Sequence, residues 1–284
     1  MKSPTKSIVV TGASSGIGRA TALHLDEIGF RVFAGVRRDE DGQNLAKLAS
    51  GRLTPIRLDV TDADSVAAAV ELVARETSRK LHGLVNNAGL SVNGPLEMVP
   101  GDQIRKLMDV NVVGLMAVTK AFLPMIRASH GRIVNISSGH GLLAIPDKSA
   151  YAASKFAVQA ISDSLRVELL PFNVSVSCLA VGKVETDVLG KIVAERERMI
   201  EDADPEVAEL YRPLIEFFDR EVKDLPGIAP VEVARVIGTA MKVSKPKAHI
   251  EIGPGARKMK NLARLPVGLR DWMLAKALYS RRSA

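Results

Sequence analysis

Short apolar runs alternate with longer amphipathic stretches along the first two thirds of this 284-residue chain. The runs at 8–10, 31–36, 53–58, 81–85, 132–136 and 174–179 are too short for helices and predict buried strands. Between them, 16–28, 39–49, 65–77, about 102–128 and about 151–170 carry apolar residues at helical spacing. Thr61 and Asp64 suggest a capping box opening the third of these helices. Strands alternating with helices imply βαβ units. Right-handed crossovers then give a doubly wound α/β fold, a mostly parallel sheet with helices on both faces. Near-continuous apolar strands suit a sheet covered on both sides. At 187–225 the alternation breaks into an acidic, helix-patterned segment, read as a lid inserted over a substrate site. A last edge strand is expected at 248–252. The organisation predicted is one domain over 1–253, with 187–229 as its substrate-loop insertion, and an extension over 254–284.

Charge changes the picture only at the C-terminal end. From Gly253 to Ala284 there are eight basic residues and one acid, Asp271, which accounts for the whole net charge of +7. The basic excess lies in a tail, not in a folded basic surface, which argues against a nucleic-acid partner. The tail also carries Met259, Leu262, Leu265, Leu269, Trp272, Met273 and Leu278, so a peripheral contact with an anionic membrane is one reading of it. Pro266 and Gly268 predict two short helices there rather than one. The single cysteine, Cys178, excludes an internal disulfide and suits a reducing, cytoplasmic setting. No signal-peptide pattern and no run of about 18 uninterrupted apolar residues is apparent. The N-x-S matches at Asn135 and Asn173 fall in expected strands and read as chance. The five histidines, at 24, 82, 130, 140 and 249, lack metal-ligand spacing, so no metal site is expected.

Two constellations carry chemistry. Thr11-Gly12-Ala13-Ser14-Ser15-Gly16-Ile17-Gly18 joins the first strand to the first helix. Glycines permit a tight turn and close ligand approach, and the helix N-terminus presents free N–H groups to a pyrophosphate. The second strand ends at Val36-Arg37-Arg38, where an NAD site usually has an acid. Two guanidinium groups suit a 2′-phosphate, so NADP(H) is expected over NAD(H). The second constellation is Tyr151 and Lys155, which share a helix face, with Ser138 thirteen residues before the tyrosine. A neighbouring ammonium would lower the phenol from its ordinary pKa of about 10 and let it exchange a proton with an alcohol or carbonyl.

Taken in order, T-G-A-S-S-G-I-G, Asp59-Val60, Asn86-Asn87-Ala88-Gly89, Asn111, Ser138 and Tyr151-x-x-x-Lys155 closely resemble the short-chain dehydrogenase/reductase family, over residues 8 to about 186. The resemblance implies a Rossmann-type fold and a catalytic tetrad of Asn111, Ser138, Tyr151 and Lys155. It implies that Asn111 holds a water beside Lys155, that Ser138 bonds the substrate oxygen, and that Lys155 bonds the nicotinamide ribose. Cofactor contacts are implied at Gly12, Ser14, Ser15, Gly16, Ile17, Gly18, Arg37, Arg38, Asp59, Val60, Asn87, Ala88, Gly89, Tyr151, Lys155, Val184 and Thr186. Val181-Gly182 stands where the family usually has Pro-Gly, which suggests a differently placed nicotinamide-side loop. Leu81-His82-Gly83 replaces a frequent acidic residue, with little structural effect expected.

Substrate contacts are expected from Ser138, His140, Leu142 and Tyr151. Val92, Leu143, Ile145, Val188, Leu189 and the helical segment to Leu225 would add apolar walls, favouring a lipophilic ketone or alcohol. V-F-A-G-V and G-P-L-E are weakly similar to the retinol- and steroid-oxidising branch. The resulting expectation is an NADP(H)-dependent oxidoreductase, cytoplasmic, with membrane-peripheral contact through the tail as one reading, forming a homodimer or homotetramer through the two long helices. The alternative is a non-catalytic NADP(H)-binding regulator on the same fold.

Overall fold

The computed structural model describes residues 5–185 and 188–279, with the side chains of 188–193 and 221–224 outside that description. Seven strands form one sheet: β1 (Ser7–Val10), β2 (Arg31–Val36), β3 (Leu53–Arg57), β4 (Gly83–Asn86), β5 (Arg132–Ser138), β6 (Ser175–Val181) and β7 (His249–Ile252). Their order is β3-β2-β1-β4-β5-β6-β7, and every pairing is parallel. Side chains alternate between the two faces, as strand geometry requires. Ile8, Val10, Val32, Ala34, Val85 and Val134 fill one core with α1 (Gly16–Glu27), α2 (Asp39–Ala46) and α9 (Pro230–Lys242). Val9, Phe33, Leu84 and Ile133 point the other way, against α3 (Ala63–Glu76) and α5 (Leu115–Ala128). This is the expected doubly wound, Rossmann-type sheet.

Three elements depart from expectation. The helix at 65–77 begins at Ala63 and is capped by Asp62, whose carboxylate accepts from the N–H groups of Asp64 and Ser65 at 3.0 and 3.2 Å. Thr61 is turned away, bonding Asp59 instead. The long helix at 102–128 is three pieces: α4 (Gly101–Met108), a π-helical turn (Asp109–Gly114), then α5. Gly101–Ala128 as a whole is long and apolar enough to span a bilayer by composition, yet half of its most apolar window is buried in the fold. Asn173 lies in a left-handed turn (φ 54°) before β6, not in a strand. Asn135 is buried in β5.

His82 does more than expected. Its ring is buried, stacks on Phe30 at 5.9 Å, and its Nε2 lies 3.1 Å from the Met241 carbonyl near the end of α9. The sequence 81–83 therefore fastens the sheet to α9. α6 (Ser149–Glu168) lies beside β5 and β6. α7 (Val188–Asp202) and α8 (Pro205–Asp224) form the helical insertion, and α10 (Pro254–Leu262) and α11 (Val267–Tyr279) follow β7.

Burial pushes the His82 imidazole down to about 4, and that of His140 likewise. Above pH 6.5 both are neutral whether folded or not. As pH falls from 6.5 toward about 4, only the unfolded chain takes up these protons, so stability is lost over that window. The urea midpoint should drop between about pH 7 and about pH 5, and His82→Gln should shrink the drop. An equal drop in that variant would remove His82 from the account.

Candidate active site

A cleft of about 880 Å³ opens at the carboxyl ends of the strands. Its walls come from successive strand-end turns: Gly12 to Ile17 after β1, Arg37 and Arg38 after β2, Asp59 and Val60 after β3, and Asn87 to Gly89 after β4. Ser138 ends β5, Val184 follows β6, and Tyr151 and Lys155 project from α6. A parallel sheet places its ligand crevice at this end.

The first turn is held from below. Thr11 Oγ1 accepts from the N–H groups of Asn87 and Ala88, both at 3.0 Å, and the Asn87 amide donates to the carbonyls of Thr11 and Gly12. Gly12 sits at φ +64°, and a Cβ there would come within 2.8 Å of Ala88 Cα. Gly18, expected at the cofactor, instead lies beneath the loop. A Cβ on it would run into the Gly12 carbonyl and the Asn87 amide, so its glycine serves loop packing. Ser15 caps α1 with no side-chain hydrogen bond, and Ser14 and Ser15 are exposed. The turn thus presents uncapped helix N–H groups to the cleft, which suits a pyrophosphate.

Arg38 and Asp41 form a two-point pair on the surface, at 3.0 and 2.9 Å. Arg37 is exposed, and its charge acts on Asp59. Burial pushes the Asp59 carboxyl up, but the Thr61 hydrogen bonds and Arg37 outweigh it and hold the group below the usual range.

The proton-handling group is arranged differently from the sequence reading. Lys155 Nζ donates to the Ile136 carbonyl at 3.0 Å and lies 5.8 Å from the Tyr151 ring centre. Burial pushes the ammonium down to about 8. The Tyr151 phenol is held above its ordinary value by burial, opposed by a hydrogen bond with Ser138. The phenol therefore stands above its ordinary value, not below it as the sequence reading expected, because burial is the larger effect. Ser138 Oγ also accepts from the His140 N–H at 3.2 Å.

Asn111, buried in the π-helical turn, donates to the Leu90 carbonyl at 2.9 Å and to Ser154 Oγ at 3.0 Å, and accepts from the Leu90 N–H at 2.7 Å. These bonds tie the turn to α6 and to the loop after β4. π-turns within helices are frequent at functional sites. A second polar chain, unread in the sequence, crosses the core: Asn86 donates to Thr119 and Asn135, and Asn135 donates to Ser162. Cys178 is buried and free, with burial pushing its thiol up to about 11. It is a packing residue. Among the described residues no cluster could hold a metal.

His140 and Leu142 follow Ser138 in the turn after β5, and both are half-buried. The His140 ring meets Tyr151 edge-on at 5.9 Å, with its buried Nδ1 unpartnered. Leu143 is buried in the interior. Val92 joins Met98, Val99, Met199 and Ile215 in an apolar cluster beneath the lid helices. Thr186, and the side chains of Val188 and Leu189, lie outside the described residues. β6 stays paired through Val181, opposite Ser138 and Ile252, so no kink marks the missing proline.

The lid is fastened by ions. Arg196 of α7 pairs with Asp147 and with Asp219 of α8, and Lys148 reaches Asp147 at 3.0 Å. Asp147 is buried in a left-handed conformation (φ 68°) just before α6. Acid and base at such sequence separations carry no local signal.

The fold and cleft define a dinucleotide-binding α/β oxidoreductase. The chain belongs to the short chain dehydrogenase family, whose model matches residues 6–197. It is 34% identical over 264 residues to 3-amino-tetrahydro-pyrrolizinone reductase of Xenorhabdus hominickii, covering 92% of this chain and 91% of the other. It is 38% identical over 210 residues to retinol dehydrogenase 7 of Rattus norvegicus, covering 72% and 66%. A short chain dehydrogenase from Burkholderia cenocepacia, solved with NADP, superposes with a TM-score of 0.75 at 25% identity, covering 96% and 99%. The protein is thus an oxidoreductase of CH–OH donors with a nicotinamide cofactor, similar to the retinol and steroid branch.

Removing Arg196 as Leu leaves Asp147 with Lys148 alone and Asp219 unpaired. The expected local cost is about 3 kcal/mol, the low end for a broken buried pair. Backbone hydrogen exchange should quicken across α7 and α8 while β5 and α6 stay protected. Unchanged exchange in the lid would refute the latch.

Proposed function

We propose that this protein is an NADP(H)-dependent reductase or dehydrogenase interconverting a lipophilic ketone or aldehyde with its alcohol. The observation that carries this reading is the convergence of Ser138, Tyr151 and Lys155 on one cleft with an uncapped helix N-terminus at its other end. The bound nicotinamide supplies or accepts the hydride. Ser138 positions the substrate oxygen and stabilises charge developing on it. Tyr151, protonated in its buried setting, gives its proton to that oxygen in reduction and takes it back in oxidation. Lys155, already at the cleft, would hold the nicotinamide ribose. Asn111 acts through position, fixing the loop that follows β4. A regulator that merely binds NADP(H) would have no need for this acid–base group, so the enzyme reading is favoured.

Preference for NADP(H) rests on Arg37 and Arg38 at the β2 end, with Val36 buried and no acid at that strand end. A 2′-phosphate would engage the exposed Arg37 and share Arg38 with Asp41. The apolar cluster under the lid, with His140 neutral beside Tyr151, supports a lipophilic substrate presenting one polar oxygen. Val113, Met116 and Phe156 are exposed on the π-turn, α5 and α6, which supports self-association through those helices.

A panel of lipophilic ketones, aldehydes and alcohols, read by NADPH absorbance, tests the reaction. Turnover of at least one member is expected, and none across a broad panel would favour the regulator. Arg37→Ala with Arg38→Ala should raise the KM for NADPH at least about tenfold, as expected when charge-assisted bonds of about 1.5–3 kcal/mol are lost, while leaving that for NADH nearly unchanged. Equal efficiency of wild type with both cofactors would remove the preference.

A further inference from the structure

The two C-terminal helices behave differently. α10 belongs to the body: Ala256 is fully buried, and Met259 lies so close to the Ser138 turn that a Cβ on Gly139 would meet its sulfur at 2.6 Å. α11 buries no residue at all. Its inward side carries the half-buried Arg270, Leu274 and Leu278. Its outward side presents Leu269, Trp272, Met273 and Tyr279, at 46%, 57%, 41% and 55% exposure. Leu269, Trp272, Met273 and Lys276 follow the i, i+3, i+4, i+7 spacing of one helix face. An ordinary surface helix turns that face to its core; this one turns it to solvent. Lys276 lies over the Trp272 ring at 5.0 Å, an arrangement that puts an ammonium at the edge of an apolar stripe.

Charge selects the occupant. The region 254–284 holds eight basic residues and one acid, while the rest of the chain is neutral overall. A symmetric contact between two copies through this face would set two such tails against each other. The acidic lid of a second copy matches the charge, yet among its described large apolar side chains only Ile200, Leu210 and Leu225 are exposed, which leaves most of the stripe uncovered. An anionic bilayer surface satisfies both needs, with headgroups for the cations and acyl chains for Trp272 and its neighbours. We propose that α11 lies on anionic membranes through Leu269, Trp272, Met273 and Tyr279, holding the enzyme at the lipid surface.

Trp272 is the chain's only tryptophan, so its emission reports on this face alone. The full chain is mixed with phosphatidylcholine vesicles, or with vesicles of equal parts phosphatidylcholine and phosphatidylglycerol. A blue shift and co-sedimentation are expected with the anionic vesicles only, with both lost on the order of 1 M salt, where the screening length is about 3 Å. Leu269→Glu with Met273→Glu keeps the reporter and should reduce the bound fraction at least tenfold, with turnover of a water-soluble ketone unchanged. Absence of binding to anionic vesicles overturns the proposal. So does undiminished binding of the variant, or a lipid-free dimer that the variant dissolves while the wild type ignores vesicles.

Discussion

A lysine ammonium taken out of water and bonded to the Ile136 carbonyl is the interaction on which the site turns. It spans the gap between a helix and a strand end, so it exists only where α6 packs against β5 in one register. Burial makes the charge costly, and the Ile136 carbonyl is the polar partner that meets it. The same burial holds the Tyr151 phenol above its ordinary value, and the Ser138 hydroxyl gives it a partner. One packing interface thereby sets the position of the ammonium and the surroundings of the phenol.

Other elements hold that interface. The π-turn places the Asn111 amide between the loop after β4 and Ser154 of the catalytic helix, one residue from Lys155. The chain of amides and hydroxyls from Thr119 through Asn86 and Asn135 to Ser162 binds α5, β4, β5 and α6 together inside the core. Thr11 fixes the glycine-rich turn to the loop after β4. On the other side, α10 packs against the Ser138 turn, and the Asp147–Arg196 pair fastens the lid to the residues that open α6. The two ends of the cleft are linked by hydrogen-bonded polar groups, which rigidify a buried site.

Much of this was legible in the residues. Apolar runs marked β1 to β6 because both sheet faces are covered there, and the ordered motifs placed Ser138, Tyr151 and Lys155 at one crevice. The break in alternation after 187 marked the helical insertion, and Pro266 and Gly268 marked two tail helices. What stayed hidden depends on contacts distant in sequence. Nothing local at His82 announces Met241, and nothing near Asp147 announces Arg196. The helical spacing at 102–128 cannot distinguish a π-turn from an α-helix, since one extra residue per turn barely alters the apolar pattern. Tyr151 and Lys155 share a helix face, yet that face does not say where the ammonium points; the sheet decides it.

The account stands on Tyr151 as the group that moves the proton. The direct measurement compares Tyr151→Phe with wild type, reading NADPH binding by fluorescence and turnover by single-turnover kinetics. The ring and the packing survive that change, so cofactor affinity should stay within about twofold, while the chemical step slows by roughly 10²–10⁴, the range that a positioned acid or base supplies. A variant that binds NADPH normally and reduces substrate at the wild-type rate would contradict the assignment.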